Sequence, residues 1–355
     1  MGIDRANWLQ STLTVQQGLE AYFCQRFSNY QEIQIKNLAS ITAGWENEMY
    51  AFDVEYESGG THRHEELVLR IYPGVDAHTK SAQEFHSLQQ LYKIGYPVPK
   101  VMLVERENSP FGKPFIIMER IKGQLLGALL FHSPDQNQPS LLKLFCELFV
   151  RLHRLDWQPF VEREKHAEFR KPYYFVDQWL RTAHDYLNRY EMTDFLPVIQ
   201  WLEQRRDQVP CARPSVVHGD FHPFNMLVRE DGSAVVIDWT GCRVTDARFD
   251  LAWTLMLASA YHGVEWRQHI LKEYERVAKA NIDRIEYFEV CAYARRLFDI
   301  SVSLSQGPDK LGMRPAAADM MKQEMHAAKR VYEYLLERTE IRVPTIEKML
   351  SKETA

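Results

Sequence analysis

The stretch Val216-Val217-His218-Gly219-Asp220-Phe221-His222-Pro223-Phe224-Asn225-Met226-Leu227 constrains the fold of this chain more tightly than any other part of it. Gly219 and Pro223 argue against a helix through its centre, so its polar side chains belong to a loop. Directly afterwards, Met226 to Arg229 and Ala234 to Ile237 are short apolar runs around Glu230-Asp231-Gly232, the pattern of a β-hairpin. A hairpin returns the chain beside the loop and delivers Asp238 at its far end. Asp220, Asn225 and Asp238 are therefore expected to converge by topology alone.

Upstream of that loop, residues 8 to 27 carry apolar side chains at helical spacing. Ile33 to Ala39, Met49 to Tyr56 and Glu66 to Ile71 then read as strands of an antiparallel meander, with Gly44 and Ser58-Gly59-Gly60 in the turns. Asp76 to Ile94 is helical and stops at Gly95, and Val101 to Glu105 and Phe115 to Arg120 are two further strands. Beyond Gly123 the pattern turns helical. Ser140 is placed to cap a segment whose apolar stripe runs from Leu141 to Leu152, and helices fit Phe175 to Tyr190 and Leu196 to Gln208. From Phe249 onward everything reads as helix, apart from a break at Gln306 to Pro315 and a polar tail after Pro344. The expectation is an α+β chain of two lobes with a cleft between them. Residues 1–122 form a small antiparallel sheet with a leading helix and one prominent inserted helix, and residues 123–355 form a larger, mainly helical lobe that carries the loop and hairpin.

Composition narrows the class of function. At 355 residues, 45% hydrophobic and 26% charged, the chain has the balance of a globular protein with a substantial core. Net charge is −5 and the basic residues are scattered, which gives no footprint for nucleic acid. No apolar run is long enough for a membrane span, and Met1 to Gln10 lack the layout of a secretion signal, so a cytoplasmic location is expected. Cys24, Cys146, Cys211, Cys242 and Cys291 are widely spaced with no C-x-x-C pair, which points to reduced thiols and not to disulfides or zinc.

Phosphoryl transfer from a nucleoside triphosphate needs a carboxylate that orients the attacking hydroxyl and accepts its proton, together with oxygen ligands for Mg²⁺ beside the phosphates. Asp220, Asn225 five positions on, and Asp238 after the hairpin meet those needs. Loop and hairpin together resemble the H-G-D-x-x-x-x-N and hydrophobic-I-D-W/F/Y motifs of the aminoglycoside phosphotransferase and choline kinase family, relatives of the protein kinases. The resemblance implies a bilobal protein-kinase-like fold, with Asp220 as catalytic base, His218 supporting the loop backbone, and Asn225 and Asp238 as Mg²⁺ ligands. It implies ATP, or GTP, as donor and a hydroxyl of a small molecule as acceptor. Leu67-Val68-Leu69-Arg70-Ile71 resembles the strand whose basic residue clamps the α- and β-phosphates, and Glu84 matches that residue's acidic partner. Backbone around Gly44, in Thr42 to Glu48, would reach phosphate. Phe115 to Ile121 resembles the strand and linker in which main-chain groups of Glu119 and Ile121 read adenine, with Met118 beside it. Two positions depart from the protein-kinase pattern: the clamp is Arg70 where protein kinases use lysine, although arginine does occur there in this wider group, and the covering loop has a single glycine and not G-x-G-x-x-G.

Two rivals stand beside this expectation. A protein kinase would carry Lys two positions after the catalytic Asp, where this chain has His222, and the short path from Asp238 to Asp250 leaves no room for an activation segment ending in A-P-E. A pseudokinase acting as a binding module would show damage to the Asp, Asn, Asp set, which is intact here. Blander readings also apply to single residues. Arg70 with Glu84 could be a surface ion pair, and Asp250 is more readily a helix cap or a brace for the loop than a substrate ligand. Arg295, Arg296 and Asp299 could contact an acidic substrate but read more readily as a solvated helix face, and Trp179, Tyr186 and Tyr190 read as core more readily than as the lining of a ligand cavity.

Overall fold

The computed structural model describes residues 2–41, 48–74, 76–132, 137–313 and 316–351, with side chains from residue 14 onward. The chain divides into two compact units, Met1–Lys122 and Gly123–Ala355. The architecture is α+β: an antiparallel sheet in the first unit and a mainly helical second unit.

The first unit contains α1 (Gly2–Arg26), β1 (Gln31–Ile41), β2 (Glu48–Ser58), β3 (Thr61–Ile71), α2 (Ala77–Lys93), β4 (Val101–Glu105) and β5 (Phe115–Glu119). Its five strands lie in the order β1-β2-β3-β5-β4, every neighbour antiparallel. Strand pleating sorts the side chains. Leu67, Leu69 and Ile71 of β3, with Phe52 and Val54 of β2, pack against Leu19, Tyr22 and Phe23 of α1. The alternate positions point the other way, where Val68 joins Ile116 and Met118 with Phe85 of α2 packed against them. Arg70, two residues after Val68, shares that second face. The β2–β3 ribbon runs further than the apolar pattern indicates, pairing Glu57 with His62 and Glu55 with His64. These outer residues are polar, so hydrophobic alternation carries no signal of them.

In the second unit the elements are β6 (Gln124–Leu125), α3 (Leu126–His132), α4 (Gln138–His153), α5 (His166–Phe169), α6 (Tyr174–Arg189) and α7 (Leu196–Glu203). Next come β7 (Ser215–Val217), β8 (Met226–Val228), β9 (Ala234–Val236), β10 (Arg243–Thr245) and α8 (Ala247–His262). The chain continues through α9 (Val264–Ala278), α10 (Ile285–Gln306), α11 (Ala316–Gln323), α12 (Met325–Thr339) and α13 (Pro344–Ser351). The hairpin β8–β9 pairs Met226 with Val236 and gains β6 as a third strand, while β10 pairs β7.

Several local expectations are corrected. Ser140 lies inside α4, which begins beyond Asn137 with Pro139 in its first turn, where the missing N–H costs nothing. The segment after Pro344 is a helix, docked by the fully buried Ile346 and by Thr345, whose amide donates to Asp194 Oδ2 at 3.1 Å. Strands β6 and β10 are too short for periodicity to reveal.

Candidate active site

The loop between β7 and β8 is held from beneath by one buried carboxylate. Asp250 Oδ2 accepts the His218 amide at 2.8 Å and Asp250 Oδ1 accepts the Gly219 amide at 2.9 Å. His153 Nε2 lies 3.3 Å from Asp250 Oδ2, and its Nδ1 is 2.7 Å from Tyr274 Oη. Burial alone would raise the Asp250 pKa, but His153, His218 and the loop amides hold it below the usual carboxylate range. Asp250 is thus a brace. Capping of α8 falls to Asp246, whose side chain accepts from the Arg248 amide.

His218 is fully buried, and burial pushes its pKa down, so the ring is neutral. Its Nε2 sits 2.9 Å from the Ile237 carbonyl, an acceptor only, so Nε2 carries the proton. Nδ1 is left to accept the Asp220 amide at 3.3 Å. The ring ties the loop to the end of the hairpin. Gly219 is obligatory here: its φ is +87°, and a Cβ would sit 2.7 Å from the Gly241 carbonyl oxygen.

Asp220 itself keeps 47% of its side chain exposed. Its Oδ1 accepts Trp253 Nε1 at 2.7 Å, and Oδ2 faces His222 Nε2 at 3.4 Å. Desolvation works against ionisation, yet the His222 and Trp253 contacts prevail and the carboxyl stays well below its usual range. His222 shifts the opposite way: burial opposes protonation, but the Asp220 charge raises its pKa. Asn225 Nδ2 donates to the Asp220 carbonyl at 3.0 Å and lies 3.4 Å from Asp220 Oδ2, which leaves the amide oxygen for a hard cation. The Ile237 amide donates to the Asn225 carbonyl at 3.0 Å, which seats the next residue, Asp238, beside the loop. Asp238 adopts a left-handed backbone at φ +64°, and its charge is felt at both His218 and His222. An amide oxygen on Asn225 and a carboxylate on Asp238 are ligand types suited to Mg²⁺.

The first unit holds a second group of the residues singled out in the sequence. Arg70 Nη1 donates to both carboxylate oxygens of Glu84, at 2.9 and 3.1 Å, and the two residues are only 3% and 1% exposed. The pair is buried, which corrects the surface reading. Met118 is buried beside Val68 and Ile116. The Glu119 amide donates to the Lys100 carbonyl at 2.9 Å, so that donor is not available to a base. Ile121 is half-buried in the segment after β5. Gly44 lies outside the described residues.

Sequence reasoning gave no role to Trp253, which donates to Asp220. A pocket beside the loop is lined by Gly219, Trp179, Phe249, Trp253, Phe288 and Arg295, among others. Trp253 was within reach of the sequence, three positions past Asp250, but its contact depends on how α8 packs. Arg295 is not on a purely solvated face, because its guanidinium lies 4.3 Å from the Trp253 ring centre. Among the described residues, no helix is long and apolar enough to cross a membrane.

Several known proteins resemble this chain. Serine/threonine-protein kinase rio2 of Schizosaccharomyces pombe is 61% identical over a short stretch of 31 residues, 9% of each chain. Acyl-CoA dehydrogenase family member 11 of Pongo abelii is 25% identical over 247 residues, covering 66% of this chain. That match spans 30% of the relative's own length, so the chain corresponds to only part of it. The crystal structure of a thermostable mutant of aminoglycoside phosphotransferase APH(4)-Ia, a ternary complex with ADP and hygromycin B, superposes with a TM-score of 0.57 at 16% identity. The superposition covers 89% of this chain and 98% of that one, and shows a shared fold. A model of the phosphotransferase enzyme family (APH) matches residues 37–318, and the chain belongs to that family.

Proposed function

We propose that this chain is a small-molecule kinase, transferring the γ-phosphoryl group of ATP or GTP, with Mg²⁺, to a hydroxyl group. The observation that carries the reading is the Asp220 carboxylate, partly exposed, kept ionised, and fixed by Trp253 on a loop whose amides are bound to buried Asp250. An acceptor hydroxyl donates its hydrogen bond to Asp220 and gives up that proton as its oxygen attacks the γ-phosphorus in line. The bond from the γ-phosphorus to the β,γ-bridging oxygen breaks and the nucleoside diphosphate leaves. Catalysis of this kind is mainly positioning and charge stabilisation. Asn225 and Asp238 would hold Mg²⁺, which when bound neutralises phosphate charge. Arg70, oriented by Glu84, is assigned to the α- and β-phosphates, and the Glu119 carbonyl and Ile121 backbone to the base.

ADP release from Mg·ATP over a library of hydroxyl compounds tests the proposal. The Asp220→Asn variant should bind nucleotide as the parent does and turn over about 10²-fold more slowly or worse. Undiminished turnover in that variant removes the assignment. The short match to a protein kinase favours a second reading, transfer to protein hydroxyls. Labelled ATP with a cell extract, split into protein and small-molecule fractions, separates the two. A cytoplasmic setting is proposed, where ATP is at hand and the free cysteines stay reduced.

A further inference from the structure

We propose that the first unit carries a site for a divalent transition-metal ion of the Zn²⁺ type, formed by Asp53, His64 and Glu66 across β2 and β3. Each of these side chains offers one ligand atom, and the three atoms lie within 4.8 Å of one another. The site uses none of the residues assigned to phosphoryl transfer, so it stands independently of that reading. Strand geometry makes the grouping. Asp53 pairs directly with Glu66, and His64 lies two residues before Glu66, so all three share one face of the ribbon. That face is opposite to the one packed on α1, because their chain neighbours Phe52, Val54 and Leu67 belong to the α1 core.

The burial of Asp53 points to a ligand. The residue is only 6% exposed, and its Oδ1 is buried without a hydrogen-bond partner among the described residues. Its other oxygen is fixed by Asn37, whose Nδ2 donates to Oδ2 at 2.6 Å from a bulge in β1, where Asn37 has a left-handed backbone at φ +53°. Among the described residues no lysine or arginine pairs with Asp53, since Lys36 is taken by Glu55 at 2.5 Å and Lys122 by Glu66 at 2.6 Å. A buried carboxylate with one neutral donor is costly, and a cation at the site would remove that cost. Carboxylates alone would suit Mg²⁺ or Ca²⁺, but an imidazole beside them selects Zn²⁺ and its first-row neighbours. His64 Nδ1 lies 3.6 Å from Glu55 Oε1, which leaves Nε2 for the metal, as when a carboxylate orients a metal-bound imidazole. Tetrahedral Zn²⁺, bound at about 2.0–2.2 Å, sets its ligand atoms roughly 3.3–3.6 Å apart. His64 and Glu66, with side chains 48% and 32% exposed, have room to close on the fixed Asp53 carboxylate. On this face the outer ribbon presents Glu55, His64 and Glu66 in place of apolar side chains, so the metal supplies a cross-strand link where packing does not.

The test is calorimetric titration of the chelator-treated full chain with ZnCl₂ in excess Mg²⁺. One Zn²⁺ site should survive the Mg²⁺, and Asp53→Asn and His64→Gln should each weaken it about tenfold or more. His326→Gln, at another exposed histidine beside a glutamate, should leave it unchanged. Co²⁺ in place of Zn²⁺ should give the visible absorption of a four-coordinate ion, and His64→Gln should abolish it. Zn²⁺ should also raise the melting temperature of the parent and not that of His64→Gln, a change at a half-exposed side chain that leaves the core intact. Circular dichroism checks the fold of each variant, and Glu66→Gln replaces Asp53→Asn if the latter does not fold. Absence of Zn²⁺ binding in excess Mg²⁺, or binding that His64→Gln leaves unchanged, overturns the proposal. Equal losses in His64→Gln and His326→Gln would reveal scattered surface binding and overturn it as well.

Discussion

Asp250 and Trp253 set the position of Asp220 from opposite sides, one through the loop backbone and one through the carboxylate itself. Asp250→Ala would strand two backbone donors and the His153 ring in a buried space. It should destabilise the fold by about 3–5 kcal/mol, read from urea unfolding, as expected for breaking a buried charged network. A loss under 1 kcal/mol would show that the brace is dispensable. Trp253→Phe keeps the ring but removes the Nε1 donor, so kcat should fall about tenfold, equivalent to ~1.4 kcal/mol, at nearly unchanged melting temperature. Unaltered kcat would mean that the hydrogen bond does not orient the base. The proximity of Asn225 to Asp220, and the return of the hairpin that seats Asp238 beside their loop, could be read from the chain because loop spacing and one hairpin fix them. Trp253 and Arg295 could not, because their partners are reached only when α8 and α10 pack beside the loop.

Among the elements, β3 and α2 depend on each other through Arg70 and Glu84, which the family resemblance pairs and the structure joins by two hydrogen bonds. What the sequence left open was burial. A pair that is 3% and 1% exposed leaves a costly charge when one partner is cut away. Glu84→Ala should therefore cost about 3–5 kcal/mol in unfolding free energy, several times the value for a surface pair. At the junction of α3 and α8, His262 stacks on Phe131 at 3.6 Å, and its pKa falls to about 4, chiefly by desolvation and then through His132 and His222. In the unfolded chain it would titrate near 6.5. Between those values the unfolded state binds the extra proton, so stability should decline as pH falls from about 6.5 towards 4. His262→Phe keeps the stack and should flatten that decline. Parallel urea midpoints for the two proteins across this range would exclude His262 as the source.

For the whole molecule, nucleotide binding should register as stability, since a ligand that binds only the folded state adds RT ln(1 + [L]/Kd). Mg·ATP at a hundredfold excess over Kd should add about 2.7 kcal/mol and raise the melting temperature by a few degrees. EDTA should remove most of that rise if Asn225 and Asp238 hold the metal. An identical rise with and without EDTA would take the metal out of binding. The sequence by itself determined the sheet-then-helix order, the antiparallel meander of the first unit, and the loop-hairpin spacing of the acidic residues. All of these follow from chain geometry over a few neighbouring residues. Only the tertiary structure decided that Asp250 braces and Asp246 caps, that the segment after Pro344 docks as a helix, and that Arg243 and Arg295 share an aromatic pocket. Those contacts join residues far apart in the chain, and their energies come from burial and charge proximity that no local pattern encodes.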